Sequence, residues 1–119
     1  HAMGGFKVQG RGDRAQRVLE DAHACESAGA FGVVLEGIPS ALAENISTQL
    51  TIPTIGIGAG VGCDGQVLVC YDLFGMYGAF QPKFVKRYLD GARVMGAAAK
   101  AFVNEVRQGT FPTPEHSFE

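Results

Sequence analysis

At 119 residues the chain has room for one modest domain and too little for two ordinary ones. Hydrophobic residues make up 46% of it and charged residues 18%, a globular composition that excludes wholesale disorder. The net charge is −2 with no basic patch recurring along a helix face, so nucleic-acid binding has no electrostatic footprint; no apolar run reaches the length of a membrane span.

His1-Ala2-Met3 reads as a cloning scar and is set aside from fold reasoning. Residues 4–112 then read as one body and 113–119 as a polar, loosely held tail. Gly4-Gly5-Phe6 opens abruptly, as though cut from something longer, and nothing resembles a signal peptide. Cys25, Cys63 and Cys70 are odd in number and lack framework spacing, which predicts reduced thiols in a cytoplasmic protein. Cys25 and Cys70 are expected as small buried hydrophobes, with Cys63 more exposed in a glycine-rich loop.

Gly10-Arg11-Gly12 is a turn, and Asp13 with Gln16 three residues on forms a capping-box signal for a first helix. Ala15, Val18, Leu19, Ala22 and Cys25 follow at helical spacing, and Gly29 is a natural stop. Phe31 to Leu35 reads as a strand covered on both faces, as in parallel sheets. Pro39 suits the first turn of a second helix, along which Leu42, Ile46 and Leu50 repeat every four residues. Thr51-Ile52-Pro53 ends that helix, and Thr54 to Ile57 is a second buried strand running into Gly58-Ala59-Gly60. Val67 to Tyr71 fits a short helix or a strand; the helix keeps the β/α alternation intact.

Gly75 to Pro82 is a loop, and Lys83 to Leu89 is the third strand candidate, less apolar than the other two because of Lys86 and Arg87. A long helix from Ala92 to Gln108 carries Met95, Ala98, Phe102 and Val106 as its expected buried stripe, ended by Gly109 and Pro112. The predicted class is α/β: three parallel strands alternating with helices, part of a (β/α)8 barrel or of a doubly wound sheet. A complete barrel takes roughly 250 residues, so this chain supplies about half of one.

In either architecture chemistry gathers at the carboxyl ends of the strands. Glu36 falls at that end of the first strand and Gly58-Ala59-Gly60 at that end of the second. Locally, Glu36 is either a solvated charge near a helix start or a general base whose apolar neighbours desolvate it. Gly56-Ile57-Gly58-Ala59-Gly60 superficially resembles a dinucleotide fingerprint, but Val61 breaks the spacing. A tight turn that lets the backbone approach a ligand or a neighbouring strand is the better reading; a phosphate-handling barrel is a rival. Asp64 and Asp72 are isolated acids, and His23 and His116 lack ligand partners at recognisable spacing, so no metal site is assigned.

"GGFKVQGRG" (4–12), "VVLEGIP" (33–39), "IPTIGIGAG" (52–60), "CDGQVLVCYDLFG" (63–75), "PKFVKRY" (82–88) and the closing "EHSFE" together resemble the ketopantoate (3-methyl-2-oxobutanoate) hydroxymethyltransferase family, over its carboxyl-terminal half only. The resemblance implies a TIM-type (β/α)8 barrel, a Mg2+ ion and a place in pantothenate biosynthesis. It also implies transfer of a one-carbon unit from 5,10-methylenetetrahydrofolate to 3-methyl-2-oxobutanoate, with Glu36 catalytic. Large homo-oligomers, often decamers, are implied as well. The family's metal ligands lie in the amino-terminal half, so none is carried over onto this chain. The expectation is a chain inactive alone, which either pairs with a complementary amino-terminal half or self-associates as a non-catalytic half-barrel.

Overall fold

The structure, a computed structural model, describes residues 9–10, 12–77 and 81–118. They fall into two compact units, residues 1–68 and 69–119.

The first unit opens with helix α1 (Arg14–Ser27), strand β1 (Val33–Glu36), helix α2 (Ser40–Gln49) and strand β2 (Thr54–Ile57). The predicted capping box at the start of α1 is not formed. Asp13 has helical φ/ψ and its side chain caps nothing, because a capping side chain reaches the first-turn amides from an extended backbone. Gln16 donates instead to Glu20, one turn along the helix, at 2.9 Å. Gly29, with φ of +90°, does end the helix, taking a backbone conformation that other residues adopt at a cost. Pro39 stands just before the first residue of α2, and its carbonyl accepts from the Leu42 and Ala43 amides.

β1 and β2 pair in parallel with Val34 opposite Ile55 and Glu36 opposite Ile57. A third parallel strand, β3, is only Gly65–Gln66, giving the order β1-β2-β3. The chain is thus mixed α/β with three parallel strands in one sheet, but the third strand lies elsewhere than predicted. Residues 83–89 form turns and irregular backbone, with Val85 alone buried in that stretch. Lys83, Lys86 and Arg87 put charge on both faces of any strand there, and an interior parallel strand needs both faces apolar. Strand–helix alternation also fails between β2 and β3, where seven residues, 58–64, make the crossover with no helix.

Paired residues of a parallel sheet point to the same side. Leu35, Gly56 and Gln66 therefore face the helices, while Val34, Glu36, Ile55, Ile57 and Gly65 face away from them. The core lies on the helix side: Ala22, Leu35, Ile38, Ala43, Ile46, Leu50 and Ala59 form one buried cluster. The four-residue repeat of α2 delivers Ile46 and then Leu50 to it, with Leu42 at its margin. Ile46 is fully buried, so Ile46→Ala should cost about 2–5 kcal/mol through lost burial and a residual cavity. A urea melt of the chain checks this, and an unchanged midpoint would contradict the core assignment.

Cys25 and Cys70 are exposed and Cys63 is half-buried against the core, the reverse of the sequence expectation. Cys25 is on the predicted face of α1, but that face looks into a cleft lined by Val18, Ala22, Val33 and Val34 beside the open edge of β1.

The second unit holds the short helix α3 (Cys70–Leu73), so the helical reading of that ambiguous stretch holds for its second half, and the long helix α4 (Gly91–Gln108). Its glycines allow tight crossings: a Cβ on Gly91 would lie 2.4 Å from the Phe74 carbonyl oxygen, and the Gly91 amide donates to that oxygen at 2.8 Å. The stripe of α4 is present but exposed, with Met95 at 56%, Phe102 at 53% and Val106 at 48%. Amphipathic spacing shows that a helix face favours burial; it does not show that this chain supplies the surface to cover it. Residues 111–117 make local contacts at the end of α4. Phe111 packs edge-on against Phe102, and residues 114–116 form a 3-10 turn in which Thr113 Oγ1 meets His116 Nδ1 at 2.6 Å.

Candidate functional site

Glu36 is the last residue of β1, at the carboxyl end of the sheet and on its helix-free face. The next amide, Gly37, donates to the Ile57 carbonyl at 2.9 Å, and the Gly37 carbonyl accepts from the Gln9 amide at 2.9 Å. The backbone that carries Glu36 is thereby held from two sides. The side chain itself is exposed. The apolar run around it therefore does not enclose the carboxylate within this chain: Leu35 and Ile38 turn to the core, and Val34, which shares its face, is itself 58% exposed.

Gly58, Ala59 and Gly60 begin directly after Ile57, so they stand at the same rim as Glu36. They are not equivalent. Ala59 is fully buried in the helix-side core, whereas Gly60 is exposed with φ of +82°. The loop then descends along α2. A Cβ on Gly60 would lie 2.4 Å from the Ser40 Cβ, and one on Gly62 would lie 2.7 Å from the Glu44 Cβ, one turn further down the helix. Gly60 and Gly62 allow the backbone to approach helix α2 closely. A seven-residue crossover without a helix of its own has to lie against the existing one.

At the foot of this crossover Asp64 meets Thr54, the first residue of β2. Asp64 Oδ2 accepts from the Thr54 amide at 2.8 Å and from the Thr54 hydroxyl at 2.9 Å, while the Asp64 amide donates to Thr54 Oγ1 at 3.2 Å. Thr54 is fully buried, and Ser47 Oγ of α2 lies 2.7 Å from its hydroxyl oxygen. A carboxylate only accepts, so the Thr54 proton goes to Asp64. The single Ser47 proton is then the one for which Thr54 Oγ1 and the Ala43 carbonyl, 2.8 Å from Ser47 Oγ, compete. The Thr54 amide first and its hydroxyl second hold the Asp64 carboxyl below the usual aspartate range. Sequence reading left Asp64 as an isolated acid, since its partner is ten residues away and no local motif joins them.

Glu26 was likewise unremarked. Its Oε1 accepts from the Thr51 hydroxyl at 2.7 Å and the Thr51 amide at 2.6 Å, which lowers its pKa and ties the end of α1 to the turn entering β2. His23 is placed between Gln49, at 3.2 Å, and Glu26, at 3.8 Å, a structural position on the opposite end of the sheet from Glu36. Among the described residues, no three of His, Cys, Asp and Glu stand close enough to hold a metal ion. Among the described residues the rim contributes one carboxylate, Glu36, and Asp64 is committed to Thr54, so the described donor set does not fit a divalent cation. No helix among the described residues is long and apolar enough to cross a membrane.

The profile of the ketopantoate hydroxymethyltransferases matches residues 1–114. The chain belongs to the ketopantoate hydroxymethyltransferase family. It is 65% identical over its whole length to a 3-methyl-2-oxobutanoate hydroxymethyltransferase from Magnetococcus marinus, covering 45% of that protein. It is 63% identical over 99% of its length to the enzyme of the same name from Trichlorobacter lovleyi, covering 44% of it, and 55% identical over 98% to that from Nitratidesulfovibrio vulgaris, covering 38%. The chain thus spans less than half the length of these curated relatives. Members of the ketopantoate hydroxymethyltransferase family are one-carbon transferases by name, so the family is one of enzymes. The block "VVLEGIP" is β1 with the turn after it, and "IPTIGIGAG" is β2 with the start of the crossover.

Proposed function

We propose that this chain is the carboxyl-terminal half of a (β/α)8 barrel that transfers a hydroxymethyl group from 5,10-methylenetetrahydrofolate to 3-methyl-2-oxobutanoate, giving ketopantoate. The observation that carries this reading is Glu36. It is the one carboxylate at the carboxyl end of β1 and β2, and it stands on the helix-free face of the sheet, the side a barrel turns inward. In this reading Glu36 takes the proton from C3 of the keto acid, and the resulting carbanion attacks the folate-borne carbon. The alternative duty for the same side chain is to hand a proton to the departing folate nitrogen. Its exposure here fits a carboxylate whose enclosure is completed by the other half of the barrel. The Mg2+ associated with the family finds no ligand set among the described residues, so in this reading its ligands come from that other half, as do the contacts to the pterin.

The test is complementation. The chain alone should show no turnover, and adding a separately made amino-terminal half from a relative should restore metal-dependent ketopantoate formation. Turnover by the chain alone at a rate near that of an intact relative would overturn the division of labour. The second reading is a half-barrel that self-associates without catalysis. It draws on the exposed Val34 face and the exposed stripe of α4, since apolar surface of that kind drives association. It predicts stable dimers or larger species by light scattering and no activity after complementation. A decameric, cytoplasmic enzyme remains the assembly this family reading expects.

A further inference from the structure

Asp64 has no part in the chemistry proposed above, yet its carboxylate accepts two hydrogen bonds from the fully buried Thr54. We propose that Asp64 is a positioning residue. Its clasp on Thr54 sets how far down α2 the crossover is drawn, and so fixes Gly58–Gly60 beside Glu36. The inference goes beyond the proposed reaction, because it concerns this chain's own fold and stands whatever chemistry the rim serves.

The crossover is pinned at both ends and pressed in the middle. At its foot, Asp64 receives two hydrogen bonds from Thr54 and returns one. At its head, Gln66 Nε2 of β3 donates to the Gly60 carbonyl at 2.9 Å, tying the strand that follows back to the rim. Between them, Gly60 and Gly62 leave no space between backbone and helix. Apart from Ala59 in the core and Cys63 packed beside it, the seven residues have neither a helix nor a paired ladder of their own to hold them in register. Releasing the foot lets the segment slide away from α2, and the rim moves with it. The ionisable neighbours on the packed elements are Glu44 of α2, whose stem lies against Gly62, and the Cys63 thiol. Both are acids, so neither supplies Asp64 with a counter-charge. The paired strand segments of β2 and β3 carry no ionisable side chain. The clasp is therefore held by hydrogen bonds to an ionised carboxylate, which are stronger than neutral ones.

The sign of the proton effect follows. A carboxyl held below its ordinary range contributes stability above the unfolded-state pKa and loses it as pH falls through the folded-state value. Amide exchange by mass spectrometry, corrected for intrinsic rates, tests the proposal on the protein as isolated. In Asp64→Asn and Thr54→Val, the residue-64 amide, which donates to Thr54 Oγ1, and the Gly37 amide, which donates to the Ile57 carbonyl at the rim, should exchange about tenfold faster or more, the order expected for a lost hydrogen bond. Thr54→Ser keeps the hydroxyl and should restore protection. Amides of α1 should not change. In the wild type, protection of the residue-64 and Gly37 amides should fall as pH drops below the ordinary aspartate range. Asp64→Asn should show no such step. Glu26 also titrates there, but at the entry to β2, so a step persisting in Asp64→Asn reports Glu26 and counts against Asp64. Equal protection of the residue-64 and Gly37 amides in wild type and Asp64→Asn, or a loss spread evenly over α1, overturns the proposal. If Thr54→Val fails to fold, Asp64→Asn and the pH series decide alone.

Discussion

Glu36→Gln is expected to lower turnover of the complemented enzyme by about 10²–10⁴-fold, the usual contribution of a positioned general base. The amide keeps the size and most of the hydrogen-bonding reach of the carboxylate and loses only the ability to take a proton. Glu36 is exposed, and no hydrogen bond holds its side chain among the described residues. Stability should therefore stay within about 0.5 kcal/mol of wild type, as for other surface substitutions. A loss of activity thus reports chemistry rather than unfolding. The two proton-transfer duties separate in a simpler experiment, exchange of the C3 hydrogen of 3-methyl-2-oxobutanoate with deuterated water in the absence of folate. A base at C3 makes this exchange depend on Glu36, whereas a donor to the folate nitrogen leaves it intact. A fall in turnover of less than tenfold would remove Glu36 from the reaction altogether.

Gly60→Ala is expected to destabilise the fold strongly, by two separable causes. Its φ of +82° lies in the left-handed region, which costs a non-glycine residue about 1–2 kcal/mol. The added Cβ would also lie 2.4 Å from the Ser40 Cβ, an overlap that no rotamer relieves because both atoms are fixed by backbone. Overpacking of this kind costs about 1–3 kcal/mol more, so the sum is about 3 kcal/mol. Gly29→Ala is the matched control. Its φ is +90°, yet a Cβ there meets nothing within 4 Å, so it should show the conformational part alone. Urea melts of both variants measure the difference. Equal destabilisation would mean that the crossover does not press on α2. In the complemented enzyme, Gly60→Ala should also reduce activity, because the rim beside Glu36 would be displaced.

Much of the first unit is readable from local pattern. The spacing of Val18 and Ala22, the Gly29 stop, the apolar run ending at Glu36, Pro39 before α2 and the break at Thr51-Ile52-Pro53 each map onto an observed element, because each depends on residues within one or two turns of one another. The false strand at 83–89 and the two-residue β3 show where that reach ends. Gly65-Gln66 has no strand signature, and it becomes a strand only because the crossover lays it beside Ile55 and Gly56. The Cys25 and Met95 faces were correctly seen as apolar, but burial depends on a neighbour that sequence periodicity does not supply.

By itself, then, the sequence determined the parallel α/β character, the placement of Glu36 at a strand end and the family, through blocks of adjacent residues whose order survives without coordinates. The tertiary structure alone decided which face of the sheet Glu36 occupies and that Ala59 belongs to the core. It also showed that the glycines of the loop accommodate α2, and that Asp64 is bound to Thr54. Those facts depend on strand register and on contacts between residues ten or more positions apart, and no local pattern of side chains encodes such distances.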